Sequence, residues 1–150
     1  MRNWHKEWIK EAERVATMSK DRSTKVGAVI VSKDQNIITI GYNGFPRGVD
    51  DERSEWHERP TKYSVVVHAE LNAIINAARK GDPTKGATLY FNYQPIPCSG
   101  CTGAIIQAGI DTIVGPDIPF PGKGEQWKND LQIAQEMINQ VGIKQITINI

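Results

Sequence analysis

Residues 67–79 read Val-His-Ala-Glu-Leu-Asn-Ala-Ile-Ile-Asn-Ala-Ala-Arg and place a histidine and a glutamate at the start of a predicted helix. The apolar residues of this helix, predicted over 69–79, share one face at helical spacing: Leu71, Ile74, Ile75 and Ala78. Gly81-Asp82-Pro83 ends the helix, because glycine and proline both interrupt helical structure. The stretch therefore indicates a packed helix whose first turn carries two residues suited to chemistry.

The rest of the chain divides into helices and strands by the same periodicity. Further helices are predicted at about 4–18, 98–108 and 127–141, and strands at about 26–31, 37–42, 88–93, 112–115 and 144–148. The first two strands form a hairpin, and a long polar loop follows over 43–62. Each later connection between strands contains a helix, so those strands should run parallel. We therefore predict one α/β domain over residues 1–150, a three-layer α/β/α fold around a five-stranded mixed sheet.

Two cysteines, Cys98 and Cys101, open the helix predicted at 98–108. Their spacing lets both thiolates face one metal ion from a single turn, and a helix N-terminus stabilises negative charge. His68 adds an imidazole, and one imidazole with two thiolates suits Zn²⁺. Because structural zinc normally has four protein ligands, three ligands predict a catalytic zinc with one position left for water. We expect one such zinc per chain.

Glu70 lies two residues after His68, so it can reach the same metal-bound water without ligating the metal. Zinc lowers the pKa of bound water from about 15.7 to about 7, and a carboxylate beside that water can carry its protons to a substrate. Taken alone, the Cys-x-x-Cys pair also fits a redox pair or half of a structural site, and a His-x-Glu pair often occurs by chance. Their occurrence together, each opening a helix, favours a hydrolytic zinc site.

The composition is that of a globular protein, with 39% hydrophobic and 23% charged residues and a formal net charge of +1. This near-neutral balance does not favour a long nucleic acid as the main partner. The first residues lack the apolar run of a signal peptide, and no apolar stretch approaches a membrane-spanning length. The two cysteines, placed as a pair, do not form a disulfide framework. We therefore expect a soluble, cytoplasmic protein with no membrane partner.

A His-x-Glu motif followed by Pro-Cys-x-x-Cys is the signature of zinc nucleobase deaminases. The chain resembles the cytidine and deoxycytidylate deaminase superfamily and, within it, the deoxycytidylate (dCMP) deaminases. Besides the two metal motifs, the resemblance covers residues 21–31, 41–48, 62–63 and 105–110. The segment Gly-Tyr-Asn-Gly-Phe-Pro at 41–46 is the narrowest of these and points to the dCMP deaminases.

The resemblance implies hydrolysis of dCMP to dUMP and ammonia, a reaction that supplies dUMP for thymidylate synthesis. Zinc-bound hydroxide would attack C4 of the cytosine ring, and Glu70 would protonate N3 and then the departing amine. The resemblance also implies a homo-oligomer, often a hexamer, that dCTP with Mg²⁺ activates and dTTP inhibits. Two alternatives stay open: a related deaminase acting on free cytidine, tRNA adenosine or another heterocycle, and a non-catalytic nucleotide-binding module.

Further site residues follow from the resemblance. The side chain of Asn43 and the backbone of Ala69 would orient the substrate. Ser23 and Thr24 are predicted to bind substrate on a separate ground, because their hydroxyls lie immediately before the first strand and suit phosphate oxygens. A regulatory nucleotide would contact four residues of the 41–47 segment: Tyr42, Gly44, Phe45 and Arg47. The chain departs from many relatives at Thr102-Gly103, where Ala-Lys is common, and at Lys25, where a cysteine is common.

Other polar and aromatic residues have two interpretations each. Cations and hydroxyls in loops suit phosphate oxygens, but such residues are more often simply solvated: Arg22, Ser23, Thr24, Lys25, Arg47, Arg53 and Lys62. Asn43 also fits a turn asparagine in the left-handed conformation. Tyr42 and Tyr63 could stack on a base or pack against the protein. Three tryptophans on apolar helical faces are predicted to lie in the core or a subunit interface: Trp4, Trp8 and Trp127.

Overall fold

The computed structural model describes residues 1–150 and contains five α-helices and five β-strands. The helices are α1 Trp4–Ala16, α2 Thr61–Val65, α3 Ala69–Lys80, α4 Ser99–Gln107 and α5 Gln126–Val141. The strands are β1 Gly27–Val31, β2 Ile37–Tyr42, β3 Thr88–Phe91, β4 Thr112–Pro116 and β5 Lys144–Ile148. A short 3₁₀ helix, Ser54–His57, lies between β2 and α2. None of these helices is both long and apolar enough to cross a membrane.

The five strands form one mixed sheet in the order β2-β1-β3-β4-β5. Strand β1 is antiparallel to both β2 and β3, whereas β3, β4 and β5 run parallel to one another. The parallel half follows from the helical connections, because a crossover through a helix returns the chain in the same direction. The predicted five-stranded mixed sheet is confirmed.

Helices cover both faces of the sheet, and strand periodicity decides which side chains they meet. In β1, Ala28 and Ile30 belong to a core cluster that includes residues of α3, α4 and α5. The intervening Val29 and Val31 belong to a second cluster, which includes Ile9 and other residues of α1. All five residues of β1 are buried because the strand has packed layers on both faces. This arrangement is the predicted α/β/α sandwich.

Helix α3 approaches the sheet closely at one glycine of β2. A Cβ atom at Gly41 would lie 2.4 Å from the carbonyl oxygen of Ala69 and 2.4 Å from the backbone nitrogen of Ala73. Any other residue at this position would therefore push the first turn of α3 away from the sheet. The absence of a side chain at Gly41 sets the position of the His68–Glu70 motif relative to β2.

Two elements differ from the sequence prediction. The predicted loop over 43–62 contains the 3₁₀ helix and leads into α2, which the periodicity does not reveal because α2 has only five residues. The strand predicted over 88–93 ends at Phe91. At that point the side chain of Asn92, rather than a backbone carbonyl, accepts the hydrogen bond from Gly27 N at 3.1 Å. The ladder stops there, and Tyr93 leaves the sheet.

Candidate active site

The histidine–glutamate motif enters α3 from an isolated β-bridge between Gly44 and Val67. Backbone hydrogen bonds of 3.1 and 2.8 Å join these two residues in both directions. The bridge brings the chain just after β2 alongside the chain just before α3. His68 is therefore the extended N-cap residue of α3, Ala69 is its first helical residue, and Glu70 is its second.

The cysteine motif forms the start of α4 in a comparable way. Cys98 is the N-cap residue, and its Sγ accepts a hydrogen bond from the Cys101 backbone nitrogen at 3.5 Å. Asp130 of α5 holds the same turn, because its carboxylate accepts bonds of 2.9 Å from Ser99 N and 2.6 Å from Ser99 Oγ. A carboxylate at a helix N-terminus also interacts favourably with the helix dipole. Helix α5 thus fixes the orientation of the turn that carries both thiols.

The structure brings together the three residues predicted to hold zinc. One ligand atom each from His68, Cys98 and Cys101 lies within 4.8 Å of the others. The Nδ1 atom of His68 is 3.4 Å from Cys98 Sγ and 3.5 Å from Cys101 Sγ. A tetrahedral ion with Zn–S of about 2.3 Å and Zn–N of about 2.0–2.1 Å requires S···N separations of about 3.5 Å. The donor set and its spacing therefore fit Zn²⁺.

The pKa values of the two thiols are shifted in opposite directions. A hydrogen bond from Cys101 lowers the pKa of Cys98 to about 5, with a further contribution from His68. The pKa of Cys101 is raised, because it donates to Cys98 and is itself buried. One thiolate is thus available at neutral pH, and metal binding would displace the proton of the second. The two cysteines can therefore bind one metal cation as a pair of thiolates.

Glu70 is almost completely buried, with 2% of its surface exposed. Burial raises the pKa of its carboxyl, and the positive charge of His68 and a hydrogen bond from Tyr93 oppose that rise. The hydroxyl of Tyr93 donates to Glu70 Oε1 at 2.9 Å. A buried carboxyl with a raised pKa is suited to accept and return protons near neutral pH.

His68 and Glu70 lie at the inner part of one cavity. The exposed residues Arg59 and Lys123 also line the cavity, so its solvent-facing part is basic. The arrangement can hold a small anionic molecule with one end in solvent and the other beside the carboxylate.

One wall of the cavity contains a buried ion pair between α2 and the loop before β1. Lys62 Nζ donates to Asp21 Oδ1 at 2.8 Å, and the two side chains are 9% and 3% exposed. Burial acts to raise the pKa of Asp21, but bonds from Lys62 and from the backbone of Thr24 and Ser23 outweigh it and hold the pKa below its ordinary value. The ion pair therefore positions Thr24, which lines the cavity.

Ser23 was predicted to bind substrate, and the structure gives it another environment. Its hydroxyl accepts a hydrogen bond from Lys62 Nζ at 2.7 Å and is 3.4 Å from an Arg59 nitrogen. Its backbone nitrogen donates to Asp21 Oδ1 at 2.9 Å. Ser23 is absent from the lining of the cavity, unlike its neighbour Thr24. The hydroxyl thus supports the buried ion pair and the Arg59 side chain.

Asn43 lines the cavity and is 6% exposed. Its Oδ1 accepts from Val26 N at 2.8 Å, and its Nδ2 donates to the carbonyl oxygen of Thr24 at 2.8 Å. Its φ is not positive, so the left-handed turn conformation considered for it is wrong. Asn43 joins the end of β2 to the segment before β1, and its amide keeps a second N–H for a ligand.

The other predicted phosphate-binding residues lie away from this cavity. Lys25 donates to the carbonyl oxygen of Ser19 at 2.6 Å. Arg53 pairs with Glu55 at 2.6 Å and lies over the ring of Trp56. Arg47 donates to Asn76 Oδ1 at 2.6 Å. Their cations are therefore used in local surface contacts.

The four predicted regulatory residues lie together beside α3. Tyr42, Gly44, Phe45 and Arg47 line a separate cavity. Tyr42 is absent from the lining of the cavity that contains Glu70, so the base-stacking role considered for it there is not supported. Gly44 belongs to the β-bridge that precedes His68, which connects this second cavity to the ligand motif.

Sequence reasoning missed several residues of the cavity wall. Tyr93 belongs to the strand predicted over 88–93, and Trp127 is predicted to lie in the core or a subunit interface, yet both line the cavity with Phe120. These three rings pack together, with Phe120 centroids 5.5 Å from Tyr93 and 5.1 Å from Trp127. Arg59 and Lys123 belong to no recognisable motif, so the sequence does not indicate them. Only the fold brings residues 120–127 to a site built mainly from residues 21–70.

Comparison with known proteins agrees with this geometry. The model of the cytidine and deoxycytidylate deaminase zinc-binding region matches residues 2–115. An uncharacterised deaminase of Aliivibrio fischeri is 37% identical over 141 residues, covering 94% of this chain and 90% of that protein. The deoxycytidylate deaminase of Homo sapiens is 39% identical over 116 residues, covering 74% of this chain and 63% of that protein. The chain thus matches slightly less than two thirds of the human enzyme.

Solved structures extend the comparison to the whole fold. The dCMP deaminase of cyanophage S-TIM5, crystallised in complex with dCMP and dUMP, has a TM-score of 0.73 and 25% identity, and each chain is covered to 99%. The apo form of the same phage enzyme has a TM-score of 0.74. With its metal motifs, its mixed sheet and a family match over most of its length, this chain belongs to the cytidine and deoxycytidylate deaminase family of hydrolases.

Proposed function

We propose that this chain hydrolyses dCMP to dUMP and ammonia. The observation that carries the proposal is a buried carboxylate, Glu70, beside a His/Cys/Cys ligand set in a cavity that is basic toward solvent. The relatives support the substrate, since several are named deoxycytidylate deaminases and the phage enzyme was crystallised with dCMP and dUMP.

His68, Cys98 and Cys101 would hold one zinc ion. Bound zinc would supply Lewis-acid activation of the attacking water at neutral pH. The thiolates at the start of α4 would balance part of the metal charge, and Asp130 would keep their turn in place through Ser99. The remaining steps can be assigned to residues of the chain.

Glu70 would carry both protons of the reaction. It takes the first proton from the attacking water and gives it to N3 of the cytosine ring while the C4–O bond forms. It then takes the remaining hydroxyl proton and gives it to the exocyclic amine while the C4–N bond breaks. The products are a C4 carbonyl with a protonated N3 and one molecule of ammonia, so atoms and charges balance. Each transfer is general acid–base catalysis by the same carboxyl group.

The pyrimidine would be oriented by Ala69 and Asn43. The backbone N–H of Ala69 is in the first turn of α3, where N–H groups have no intrahelical partner, and His68 provides no side-chain cap. This N–H can donate to the carbonyl oxygen at position 2 of cytosine. The second amide N–H of Asn43 can donate to a sugar hydroxyl. Thr24 lines the same wall and contributes a further hydroxyl.

The 5′-phosphate would be bound by Arg59 and Lys123. Lys62 also lines the cavity, but its charge is paired with Asp21. Arg59 makes only a 3.4 Å contact with Ser23 and a 5.8 Å contact with the ring of Tyr63, so most of its donors are free. Arginine and lysine both suit phosphate oxygens, and arginine can bind two of them at once.

Turnover of dCMP tests the proposed reaction directly. Zinc-loaded protein should release ammonia and form dUMP at equal rates, and deoxycytidine, which lacks the phosphate, should be a much poorer substrate. Absence of dCMP turnover, both with and without dCTP, would contradict the proposal. Cytidine and a tRNA containing the target adenosine test the related activities in the same experiment.

Substitution of the basic residues tests how the phosphate is recognised. Arg59→Met and Lys123→Met should each lower kcat/KM for dCMP by about 10- to 100-fold, the worth of a charge-assisted hydrogen bond. Neither should change kcat/KM for deoxycytidine. Arg53→Met is a matched control, because Arg53 pairs with Glu55 outside the cavity. Equal losses on both substrates would show that the two cations do not read the phosphate.

We also propose nucleotide control through the second cavity. Its lining by Tyr42, Gly44, Phe45 and Arg47 combines aromatic surface with a cation, which suits a base and a phosphate. A nucleotide there would contact Gly44, whose β-bridge partner Val67 adjoins His68. Activation by dCTP with Mg²⁺ and inhibition by dTTP should both be weakened by Arg47→Met.

Light scattering would test the proposed homohexamer.

A further inference from the structure

The hydroxyl of Tyr93 has no part in the reaction above, yet it donates to Oε1 of Glu70 at 2.9 Å. Tyr93 and Glu70 are only 3% and 2% exposed. We propose that Tyr93 is a positioning residue for the reaction: its hydroxyl holds Oε1 of Glu70, so that Oε2 is the oxygen that exchanges protons. This inference rests on the proposed deaminase function and adds a residue to it.

The backbone of Tyr93 is held from two sides. Asn92, directly before it, accepts from Gly27 N at 3.1 Å and donates to the carbonyl oxygen of Lys25 at 3.2 Å. On the other side, a Cβ atom at Gly115 would lie 2.0 Å from the carbonyl oxygen of Tyr93. Strand β4 therefore packs directly against this residue. The start of the Tyr93 side chain is fixed by the end of the sheet.

The ring of Tyr93 is held as firmly as its backbone. It packs against Phe91 at a centroid distance of 5.2 Å and meets Phe120 in an edge-to-face contact at 5.5 Å. Aromatic pairs at these distances favour particular ring orientations. Because a tyrosine hydroxyl lies in the plane of its ring, these contacts determine where the O–H group points. The donor is therefore preorganised before any substrate binds.

A proton-carrying carboxylate needs a defined orientation, because small misplacements of reacting groups greatly reduce rates. Burial raises the pKa of Tyr93 well above its ordinary value, so the hydroxyl remains protonated and stays a donor. It can hold Oε1 both when Glu70 is charged and when Oε2 carries a proton. A phenol suits this task because, unlike a lysine or arginine, it adds no charge that would keep Glu70 permanently ionised.

Tyr93→Phe tests the proposal because it removes a single oxygen atom and keeps the ring. The variant should bind one zinc per chain, keep its KM for dCMP within about twofold, and lose about 10- to 100-fold in kcat. Tyr90→Phe is the matched control. Tyr90 is a buried tyrosine of β3 whose hydroxyl is 3.0 Å from His5 Nδ1, and it packs with α1 on the other face of the sheet. Its kcat should remain within about twofold of the wild type.

A crystal structure of zinc-loaded Tyr93→Phe provides a second measurement that needs no substrate. The Glu70 carboxylate should rotate or occupy two orientations in the variant, while the zinc ligands stay in place. A wild-type kcat would overturn the proposal, and so would an unchanged Glu70 orientation. Failure of the wild type to convert dCMP would contradict the proposed substrate alone. The kcat comparison would then use whichever of the cytosine and adenosine compounds the enzyme converts. The crystallographic test of the Glu70 orientation would still apply, because it needs no substrate.

Discussion

Asp21 and Glu70 are both buried carboxylates in the wall of the same cavity, yet their surroundings shift their pKa values in opposite directions. Asp21 has a lysine partner at 2.8 Å and two backbone N–H donors at 2.9 Å, which hold its pKa below the ordinary value. Glu70 has a neutral phenol, and burial raises its pKa. One carboxylate is thereby kept as a permanent anion, and the other is able to exchange protons.

The role of a buried carboxylate therefore depends more on the groups that donate hydrogen bonds to it than on how deeply it is buried. A cation close to Glu70 Oε1 would make the group a structural anion like Asp21. Variants of Glu70, Asp21 and Tyr93 test this difference.

Replacing Glu70 by Gln should have the largest effect. The amide has nearly the same shape but cannot carry protons, so kcat should fall by about 100- to 10,000-fold, the range for general acid–base groups. Zinc content, measured by elemental analysis, should stay at one per chain. Glu136→Gln on the exposed face of α5 is the control and should leave kcat unchanged. An active Glu70→Gln enzyme would remove Glu70 from the reaction.

Replacing Asp21 by Asn should mainly affect stability. Lys62 would keep its buried charge without a carboxylate, and breaking a buried ion pair typically lowers the free energy of unfolding by about 3–5 kcal/mol. Urea denaturation measures this change. Asp51→Asn is the control, because Asp51 pairs with Lys20 at 2.9 Å on the surface, where solvent screens the pair, and it should change the free energy of unfolding far less. Similar losses in the two variants would refute the anchoring role of Asp21.

Acid should weaken the same ion pair. The folded pKa of Asp21 is depressed below 3.8, so its stabilising contribution is complete above the unfolded pKa of about 3.9 and is lost as pH falls through the folded value. The stability gap between wild type and Asp21→Asn should therefore be constant from pH 7 to 5 and narrow below about pH 4. Urea denaturation at each pH measures the gap. A gap that stays constant down to pH 2 would show that the carboxylate does not titrate with folding.

Tyr93→Phe should have the smallest effect on stability. The hydroxyl donates to a buried carboxyl, so its removal should lower the free energy of unfolding by about 1–3 kcal/mol, whereas its effect on kcat should be about 10- to 100-fold. Urea denaturation of Tyr93→Phe, with Tyr90→Phe as the control, should give losses below that of Asp21→Asn. A much larger stability loss in Tyr93→Phe would indicate that the Tyr93–Glu70 bond holds the fold as Asp21–Lys62 does.

The histidine–glutamate and cysteine motifs could be recognised from local sequence because their geometry is local. His68 and Glu70 occupy one helix start, and Cys98 and Cys101 are separated by one helical turn. Helical spacing alone indicates that the two side chains of each pair lie on the same side of a helix start. The mixed sheet could also be predicted from the sequence, because strands and helices alternate after the first hairpin. Short elements are harder to predict: α2 has five residues, too few for a periodic pattern.

The residues around those motifs were hidden because they come from distant parts of the chain. Tyr93 meets Glu70 only because the β3 ladder ends at Phe91 and the chain then turns toward α3. Phe120 and Trp127 reach the cavity because α5 packs back on the same side of the sheet. No spacing rule relates residue 127 to residue 70.

The candidate metal ligands, the candidate proton carrier and the layered fold can be read from the amino-acid sequence, because each depends on periodicity or on neighbours within one helical turn. Which carboxylate anchors the chain and which can exchange protons follows only from tertiary contacts. That choice depends on the donor placed beside each group, Lys62 from α2 for Asp21 and Tyr93 from beyond β3 for Glu70. Electrostatic effects at this range depend on a few ångströms of separation, and only folding sets those distances.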